Sequence, residues 1–337
     1  MKGIDHQNAA VAETASVEEI SRFGPAKPDN VTSMRVIQPD AEPSWLTKAR
    51  TYEELELDYD REDALLWCHM APKGRPCYSM SMLREICDLQ EGVKQFYTSR
   101  EGGDDNPLQY MVWASRTAGT YNLGGDLSLF RQLILDRDRK TLTDYAVTCI
   151  DAVHRNVIAM DLPLITISLV QGDALGGGFE HALSGNVLIA ERQAKFGLPE
   201  VLFNLFPGMG AYSLIARKVG AAMAERMIFS GKVYSAEELH EIGLVDVLCE
   251  EGQGEEAVDH FIAQNRRRHA ARCAIYKAAR RFHPVTHEEL RDIALLWVDT
   301  ALTLKDADLK KMSRLAKAQE RRTAAESEKA AIINPAG

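Results

Sequence analysis

Two glutamates, Glu180 and Glu200, lie twenty positions apart, and each is embedded in a turn that contains glycine or proline. A β-branched run over residues 165–170 ends shortly before a triple glycine, 176–178, which opens a predicted helix. Glycine lets backbone N–H groups approach a ligand closely because it has no Cβ, and a helix N-terminus adds positive potential. Oxyanion donors beside two carboxylates suit chemistry that builds negative charge on a carbonyl oxygen while protons move nearby.

Each of these features has a plainer interpretation when taken alone, as a loop with a solvated charge or an ordinary Leu-Pro-Glu turn. Three further motifs accompany them in order. Upstream lies Tyr121-Asn-Leu-Gly-Gly-Asp126, after a strand-like run at 110–115. Downstream lie Phe206-Pro-Gly-Met-Gly-Ala211 and then a block from Phe229 to Asp246. The ordered set is far more specific than any one motif.

These motifs resemble the crotonase (enoyl-CoA hydratase/isomerase) superfamily over about residues 62–250. The resemblance implies an α/β fold, a crotonase-like spiral of ββα turns with a helical C-terminal region. It also implies an oxyanion hole made by the N–H groups of Gly125 and Gly177. Glu180 and Glu200 match the two catalytic glutamates of family hydratases, which hold water and shuttle protons. Keeping both favours the addition or removal of water, and the sequence does not say which glutamate is acid and which is base.

The segment 199–213 departs from ordinary enoyl-CoA hydratases, in which a glycine is common where Asn204 stands. It looks like the diffusible-signal-factor synthases. That likeness implies a bifunctional dehydratase and thioesterase, which converts 3-hydroxyacyl-[acyl carrier protein] to a free cis-2-unsaturated fatty acid used as a quorum signal. Two alternatives stay open. One is an ordinary enoyl-CoA hydratase that acts on acyl-CoA, and the other is a crotonase-fold regulatory protein that contacts a sensor kinase.

An acyl chain would need an apolar tunnel. Five residues are candidates for its lining, although ordinary core packing explains each of them equally well: Leu175, Phe203, Met209, Trp297 and Leu315.

Residues 260–287 hold seven Arg or Lys and no acidic residue. A solvated helix face is the plain interpretation. The functional interpretation is a dock for an acidic carrier protein or for the phosphates of coenzyme A, formed by Arg266, Arg267, Arg268, Arg272 and Lys277. Nucleic acid is a poor fit, because no aromatic-interleaved RNA-binding motif accompanies these cations.

Composition indicates a protein that binds neither nucleic acid nor membrane, since the 337 residues carry a net charge of −9 and no long apolar run. Six scattered cysteines without a Cys-x-x-Cys pair or a Cys/His cluster fit a reduced, cytoplasmic protein without a zinc site. We expect no metal and no cofactor. The resemblance implies a homotrimer or a hexamer.

Four regions are expected along the chain: a flexible N-terminal extension at 1–50, a spiral core with the active site at 51–255, a helical lid or oligomerisation region at 256–325, and a tail at 326–337. Apolar spacing predicts helices over 80–96, 127–135 and 143–160. Ser235 and Glu238 predict a capping box. A break is expected near His283-Pro284 in the otherwise helical C-terminal region.

Overall fold

A computed structural model gives the fold of residues 44–98 and 108–333, with the side chains of 46–98 and 108–321. Strands and helices alternate through most of the chain before the last four helices. In chain order the elements are α1 (Ser44–Ala49), β1 (Leu55–Asp60), β2 (Leu65–Met70), α2 (Met80–Thr98), β3 (Tyr110–Ser115), β4 (Thr120–Asn122), α3 (Leu127–Leu135), α4 (Arg139–Val157), β5 (Ile165–Val170), β6 (Asp173–Leu175), α5 (Gly177–Leu183), β7 (Val187–Glu191), β8 (Lys195–Gly197), α6 (Ala211–Val219), α7 (Ala221–Ser230), β9 (Val233–Ser235), α8 (Ala236–Glu241), β10 (Val247–Cys249), α9 (Gly254–Asn265), α10 (His269–Phe282), α11 (His287–Ala301) and α12 (Asp306–Ile333).

The ten strands form two sheets in the described part of the chain. One sheet has the order β1-β2-β3-β5-β7-β10, and the other has the order β4-β6-β8-β9. Strands β2, β3, β5, β7 and β10 run parallel, as do β4, β6 and β8. In the pairs β3/β4, β5/β6 and β7/β8, the first strand enters the larger sheet and the second enters the smaller sheet before a helix returns the chain. This arrangement confirms the α/β spiral of ββα turns.

The larger sheet is covered on both faces, as its near-continuous apolar strands require. Alternate residues of β3 show this: Met111 and Trp113 belong to the main core, whereas Tyr110 and Val112 belong to a second cluster on the other face. Helices α9 and α10 cover that second face with Phe261 and neighbouring side chains. The two glutamates lie on α5 and on the turn after β8, among the elements of the main core.

Several local predictions are confirmed. Helix α3 spans residues 127–135 as predicted, and α2 and α4 agree with their predicted ranges to within a few residues. The Ser235/Glu238 capping box is present. The helical break near His283-Pro284 separates α10 from α11.

Other details differ from the sequence-based picture. The acidic segment at 55–60 forms β1, an edge strand whose Leu55, Leu57 and Tyr59 alternate with acidic residues. Residues 44–49, inside the expected extension, form α1 with Leu46 and Ala49 buried, while residues 1–43 lie outside the described part. Helix α12 continues to Ile333 and therefore runs into the expected tail at 326–337. No helix of the described residues is long and apolar enough to cross a membrane.

Candidate active site

The first glycine turn follows β4 and contains Gly124 and Gly125. The Asn122 side-chain oxygen accepts a hydrogen bond from the Gly124 N–H at 2.7 Å, and the Gly124 carbonyl accepts one from the Tyr78 N–H at 2.8 Å. Gly124 has φ +86°, a conformation that favours glycine. Asp126 then caps α3, since its carboxylate accepts from the N–H groups of Ser128 and Leu129. These bonds fix the backbone of Gly125 between a strand end and a helix start.

The second glycine turn joins β6 to α5. Gly176 has φ +52°, and its N–H donates to the Gly197 carbonyl at 2.8 Å. Gly177 is the first residue of α5, so its N–H has no acceptor within the helix. A Cβ on Gly124 would lie 2.7 Å from the Gly177 nitrogen. The two glycine turns are therefore packed against each other, and a side chain at this contact would force them apart.

Glu180 lies one turn into α5 and is almost completely buried, with 1% of its surface exposed. Its Oε1 accepts hydrogen bonds from the N–H groups of Met209 and Ala211, at 2.7 and 2.9 Å. Ala211 opens α6, so the carboxylate sits at the positive end of that helix. Burial raises the pKa of Glu180, and these backbone donors act in the opposite direction because they stabilise the charged form.

Glu200 lies in a short 3-10 turn, Pro199–Phe203, that follows β8. A Cβ on Gly176 would lie 2.5 Å from its Oε1, so this carboxyl group rests directly on the second glycine turn. Its Oε2 is shielded from solvent and has no hydrogen-bond partner among the described residues. Burial first and the charge of Glu180 second raise the pKa of Glu200.

The two carboxyl groups therefore differ in environment. Three backbone groups, at Met209, Gly210 and Ala211, favour the charged form of Glu180, whereas the backbone of Glu200 itself is the one backbone group that favours a charge on Glu200 among the described residues. When two carboxyl groups interact at close range, one of them holds its proton to higher pH. The geometry favours a charged Glu180 beside a protonated Glu200 in the free protein. Such a pair supplies one base and one acid to a single pocket.

A mostly apolar pocket of about 610 Å³, including its open part, brings Gly125, Gly177, Glu180 and Glu200 together. Of the five candidates for the tunnel lining, Phe203, Met209 and Trp297 lie on its wall. Leu175 and Leu315 do not. The Leu175 side chain instead faces Gly197, and Leu315 lines a separate shallow groove.

Sequence reasoning missed the rest of the wall. Phe130 makes edge contacts with Tyr145 and Trp297, with ring centroids 5.0 Å apart in each pair. The helical pattern of α4 was a usable signal, because Tyr145, Ala146 and Cys149 share one helix face. The remaining missed lining residues are Leu123, Leu127, Gly176, Pro199, Leu205, Gly208 and Gln319.

The five cations predicted as a carrier dock lie away from this pocket. Their position is shown by His269, which lies between Arg268 and Arg272 in the sequence. It contacts the Gln109 carbonyl and the Tyr110 ring on the second face of the larger sheet. Arg266 pairs with Asp63, and Lys277 lies 3.6 Å from Asp161. Arg272 stacks over Phe261, a residue packed against the second core cluster, and Arg267 and Arg268 are exposed. The sheet separates this segment from the glutamates.

Metal ligation has no support in the described residues, which contain no group of three or more His, Cys, Asp or Glu side chains placed to hold an ion.

Comparison with known proteins agrees with this geometry. Residues 134–295 match the enoyl-CoA hydratase/isomerase family. The chain is 29% identical over 197 residues to crotonyl-CoA hydratase of Syntrophomonas wolfei, a match that covers 58% of this chain and 68% of that protein. It is 37% identical over 182 residues to the mitochondrial methylglutaconyl-CoA hydratase of Rattus norvegicus, where it covers 53% of this chain and spans only 52% of that relative.

Solved structures show the same fold. DspI of Pseudomonas aeruginosa superposes with a TM-score of 0.59 at 23% identity, covering 70% of this chain and 90% of that one. An enoyl-CoA hydratase of Bacillus halodurans gives 0.63 at 19% identity, covering 78% and 100%. The spiral fold and the paired glycine turns define a crotonase-type protein. The described chain has the crotonase fold, and residues 134–295, just under half of its length, match the enoyl-CoA hydratase/isomerase family.

Proposed function

We propose that the protein dehydrates a 3-hydroxyacyl thioester carried on acyl carrier protein and then hydrolyses the thioester, releasing a free cis-2-unsaturated fatty acid. The observation that carries this proposal is the pair Glu180 and Glu200, which line one pocket beside Gly125 and Gly177. The likeness of segment 199–213 to the signal synthases supports the second half of the reaction.

Dehydration needs one carboxylate and one carboxylic acid. The carboxylate removes the proton from the carbon next to the thioester, and the negative charge moves onto the carbonyl oxygen between the two glycine N–H groups. The acid then protonates the β-hydroxyl, the C–O bond breaks, and water leaves as the double bond forms. Two preorganised donors at such an oxygen are worth about 3 kcal/mol each. A pair in which Glu200 keeps its proton to higher pH than Glu180 suits this exchange, because it offers one acid and one base.

Hydrolysis uses the same oxyanion site. A carboxylate takes a proton from water, and the water oxygen adds to the carbonyl carbon. The C–S bond then breaks as the carboxylic acid so formed returns this proton to the sulfur, which gives the free fatty acid and the thiol. Cys149 also lines the pocket, but burial raises the pKa of its thiol well above the ordinary value. Water activated by a carboxylate is therefore a better nucleophile here than a cysteine thiolate.

An ordinary enoyl-CoA hydratase is the second candidate. The match of residues 134–295 and the likeness to crotonyl-CoA hydratase favour it. It uses the same two glutamates but acts on acyl-CoA and releases no free acid. A regulatory role through a sensor kinase stays a prediction, and an intact acid–base pair argues against a purely regulatory protein.

Product analysis by mass spectrometry tests the proposal. Purified protein is incubated separately with 3-hydroxyacyl carrier protein and with 3-hydroxyacyl-CoA. We expect an enoyl thioester and then free unsaturated acid from the carrier-bound substrate. Interconversion of enoyl-CoA and 3-hydroxyacyl-CoA without released acid would make the hydratase the correct function.

Single and double variants test the shared site. Glu180→Ala and Glu200→Ala should each abolish dehydration, because neither residue supplies both the base and the acid. The double variant should be little worse than either single one, since groups that act as a unit lose activity non-additively. Glu241→Ala, at an exposed glutamate of α8, is the matched control and should keep full activity. Independent losses that multiply in the double variant would contradict a concerted pair.

A further inference from the structure

A shallow groove runs between α12 and the 3-10 turn that carries Glu200. Its floor is apolar, and two cations of α12, Lys311 and Arg314, stand at its edge. The floor residues are Leu202, Phe203, Leu315 and Ala318. Leu202 is 51% exposed, which is high for a leucine of an ordered turn.

The groove is next to the active-site pocket. Phe203 lines both, so the groove and the pocket share part of one wall. Helix α12 also reaches the pocket directly, because Gln319 lies on its wall and accepts a hydrogen bond from Arg75. The buried stripe of this helix includes Leu309 and Met312, which leaves Lys311 and Arg314 on a neighbouring, solvent-facing side.

The electrostatics of this helix oppose those of the whole chain. Residues 309–319 carry four cations and no acid, although the protein has a net charge of −9. The four are Lys310, Lys311, Arg314 and Lys317, and none of them forms an ion pair with any side chain that the structure describes. A local patch of one sign on a protein of the opposite sign attracts a partner of complementary charge.

We propose that this α12 groove is the docking surface for the acidic face of an acyl carrier protein. The inference rests on the proposed function, because it names the partner that delivers the substrate to that site. Leu202 and Leu315 would supply the apolar centre of the contact, and Lys311 and Arg314 the charged rim that orients the partner. The segment 266–277 lies across the sheet from the pocket, whereas this groove shares a wall with it.

The test compares three substrates and a direct binding measurement. We use the charge-reversed pair Lys311→Glu with Arg314→Glu, and as control Arg84→Glu with Lys94→Glu, which makes the same change of charge at exposed positions of α2. Turnover is measured with 3-hydroxyacyl carrier protein, 3-hydroxyacyl-CoA and the uncharged 3-hydroxyacyl-pantetheine. Binding of holo-acyl carrier protein is followed by calorimetry.

In the Lys311/Arg314 variant we expect KM for the carrier substrate to rise about tenfold and carrier binding to weaken equally. Turnover of the CoA and pantetheine substrates should stay within twofold of wild type. Wild-type carrier binding should weaken with salt, because the contact is between charges near the surface. The control should behave as wild type.

Other outcomes overturn the inference. An equal loss with carrier and CoA substrates would mean that the cations bind a phosphate of the pantetheine arm. A loss in Arg267→Glu with Arg268→Glu instead would place the dock on the second face of the larger sheet. If the wild-type protein turns over the pantetheine substrate but does not bind the carrier protein, the docking surface is wrong and the proposed dehydration and hydrolysis are unaffected. If the protein binds the carrier protein but turns over none of the three substrates, the proposed function is wrong and the docking surface is not contradicted.

Discussion

Glu200 carries its proton to higher pH than an ordinary glutamate because it is shielded from water and faces the charge of Glu180. Glu180 lies in the same apolar pocket but accepts two backbone hydrogen bonds at the start of α6. Burial raises the pKa of both side chains, so the difference between their pKa values comes from the backbone donors at Glu180.

This difference has a consequence for stability. The pKa of Glu200 is higher in the folded protein than its ordinary value of 4.5. Its stabilising contribution is therefore fully present below pH 4.5 and is lost as pH rises toward the folded-state pKa. Glu200→Gln, which does not titrate, should match wild type near pH 4.5 and exceed it at pH 8.5 by on the order of a few kcal/mol. Urea unfolding at the two pH values measures the difference, and equal curves at pH 8.5 would show that Glu200 is not desolvated.

Gly177 gives a second prediction at the residue scale. A Cβ there would lie 2.4 Å from the Met209 sulfur and beside the N–H assigned to the oxyanion hole. Gly177→Val should keep the fold while turnover falls by about a hundredfold or more, the size of effect seen when one oxyanion donor is removed. Gly74→Val is the control, because no atom lies within 4 Å of the added Cβ. Near wild-type turnover in Gly177→Val would remove Gly177 from the oxyanion hole.

At the scale of elements, the first glycine turn depends on how α3 begins. Asp126 follows Gly125 directly and caps the helix through two backbone N–H groups. Strand β4 holds the other side of the turn through Asn122. The position of the Gly125 N–H is therefore set by a strand end and a helix cap together.

Asp126→Ala tests this coupling. Loss of the cap should cost about 1 kcal/mol of stability, and turnover should fall because the Gly125 backbone is no longer fixed. Ser235→Ala is the matched variant, since it removes a similar cap from α8, outside the pocket lining. We expect the same thermal shift in both variants and a loss of turnover only in Asp126→Ala. A parallel loss in both would assign the effect to general destabilisation.

At the scale of the whole molecule, several large apolar side chains face solvent in the described part of the chain. Phe229 is 74% exposed, Ile275 65% and Phe282 80%. Exposed aromatic and aliphatic groups of this size are typical of surfaces that become buried in an assembly.

Oligomerisation follows as a prediction. We expect light scattering to give a mass three or six times that of one chain, in accord with the trimer or hexamer implied by the family. Phe229→Glu and Phe282→Glu, each introducing a charge at an exposed apolar position, should shift the mass toward the monomer if the residue is in an interface. A wild-type mass of one chain would contradict the assembly.

Much of this fold was accessible from local pattern. Strand β5 and helix α3 follow from runs of apolar residues with the appropriate period, and the α8 cap follows from Ser235 and Glu238. Strand β1 was not predicted, although Leu55, Leu57 and Tyr59 alternate with acidic residues at the period of two that is typical of a strand. Asn204 illustrates a local rule: it has φ +64°, a conformation that asparagine tolerates better than most residues.

The sequence by itself determined which residues are candidates for the chemistry, since glycines at turns and glutamates beside them are local features of a chain that resembles a known family. Only the tertiary structure decided how they meet. Three features join parts of the chain that are far apart in sequence: the contact between Gly124 and Gly177, the hydrogen bonds from the 209–211 backbone to Glu180, and the place of α12 beside the pocket. Such contacts depend on how complete elements pack, and no local period encodes them. For the same reason, the sequence predicted a docking surface at the cations of 266–277, which lie on the other face of the larger sheet from the pocket. The cations of α12 lie beside the pocket.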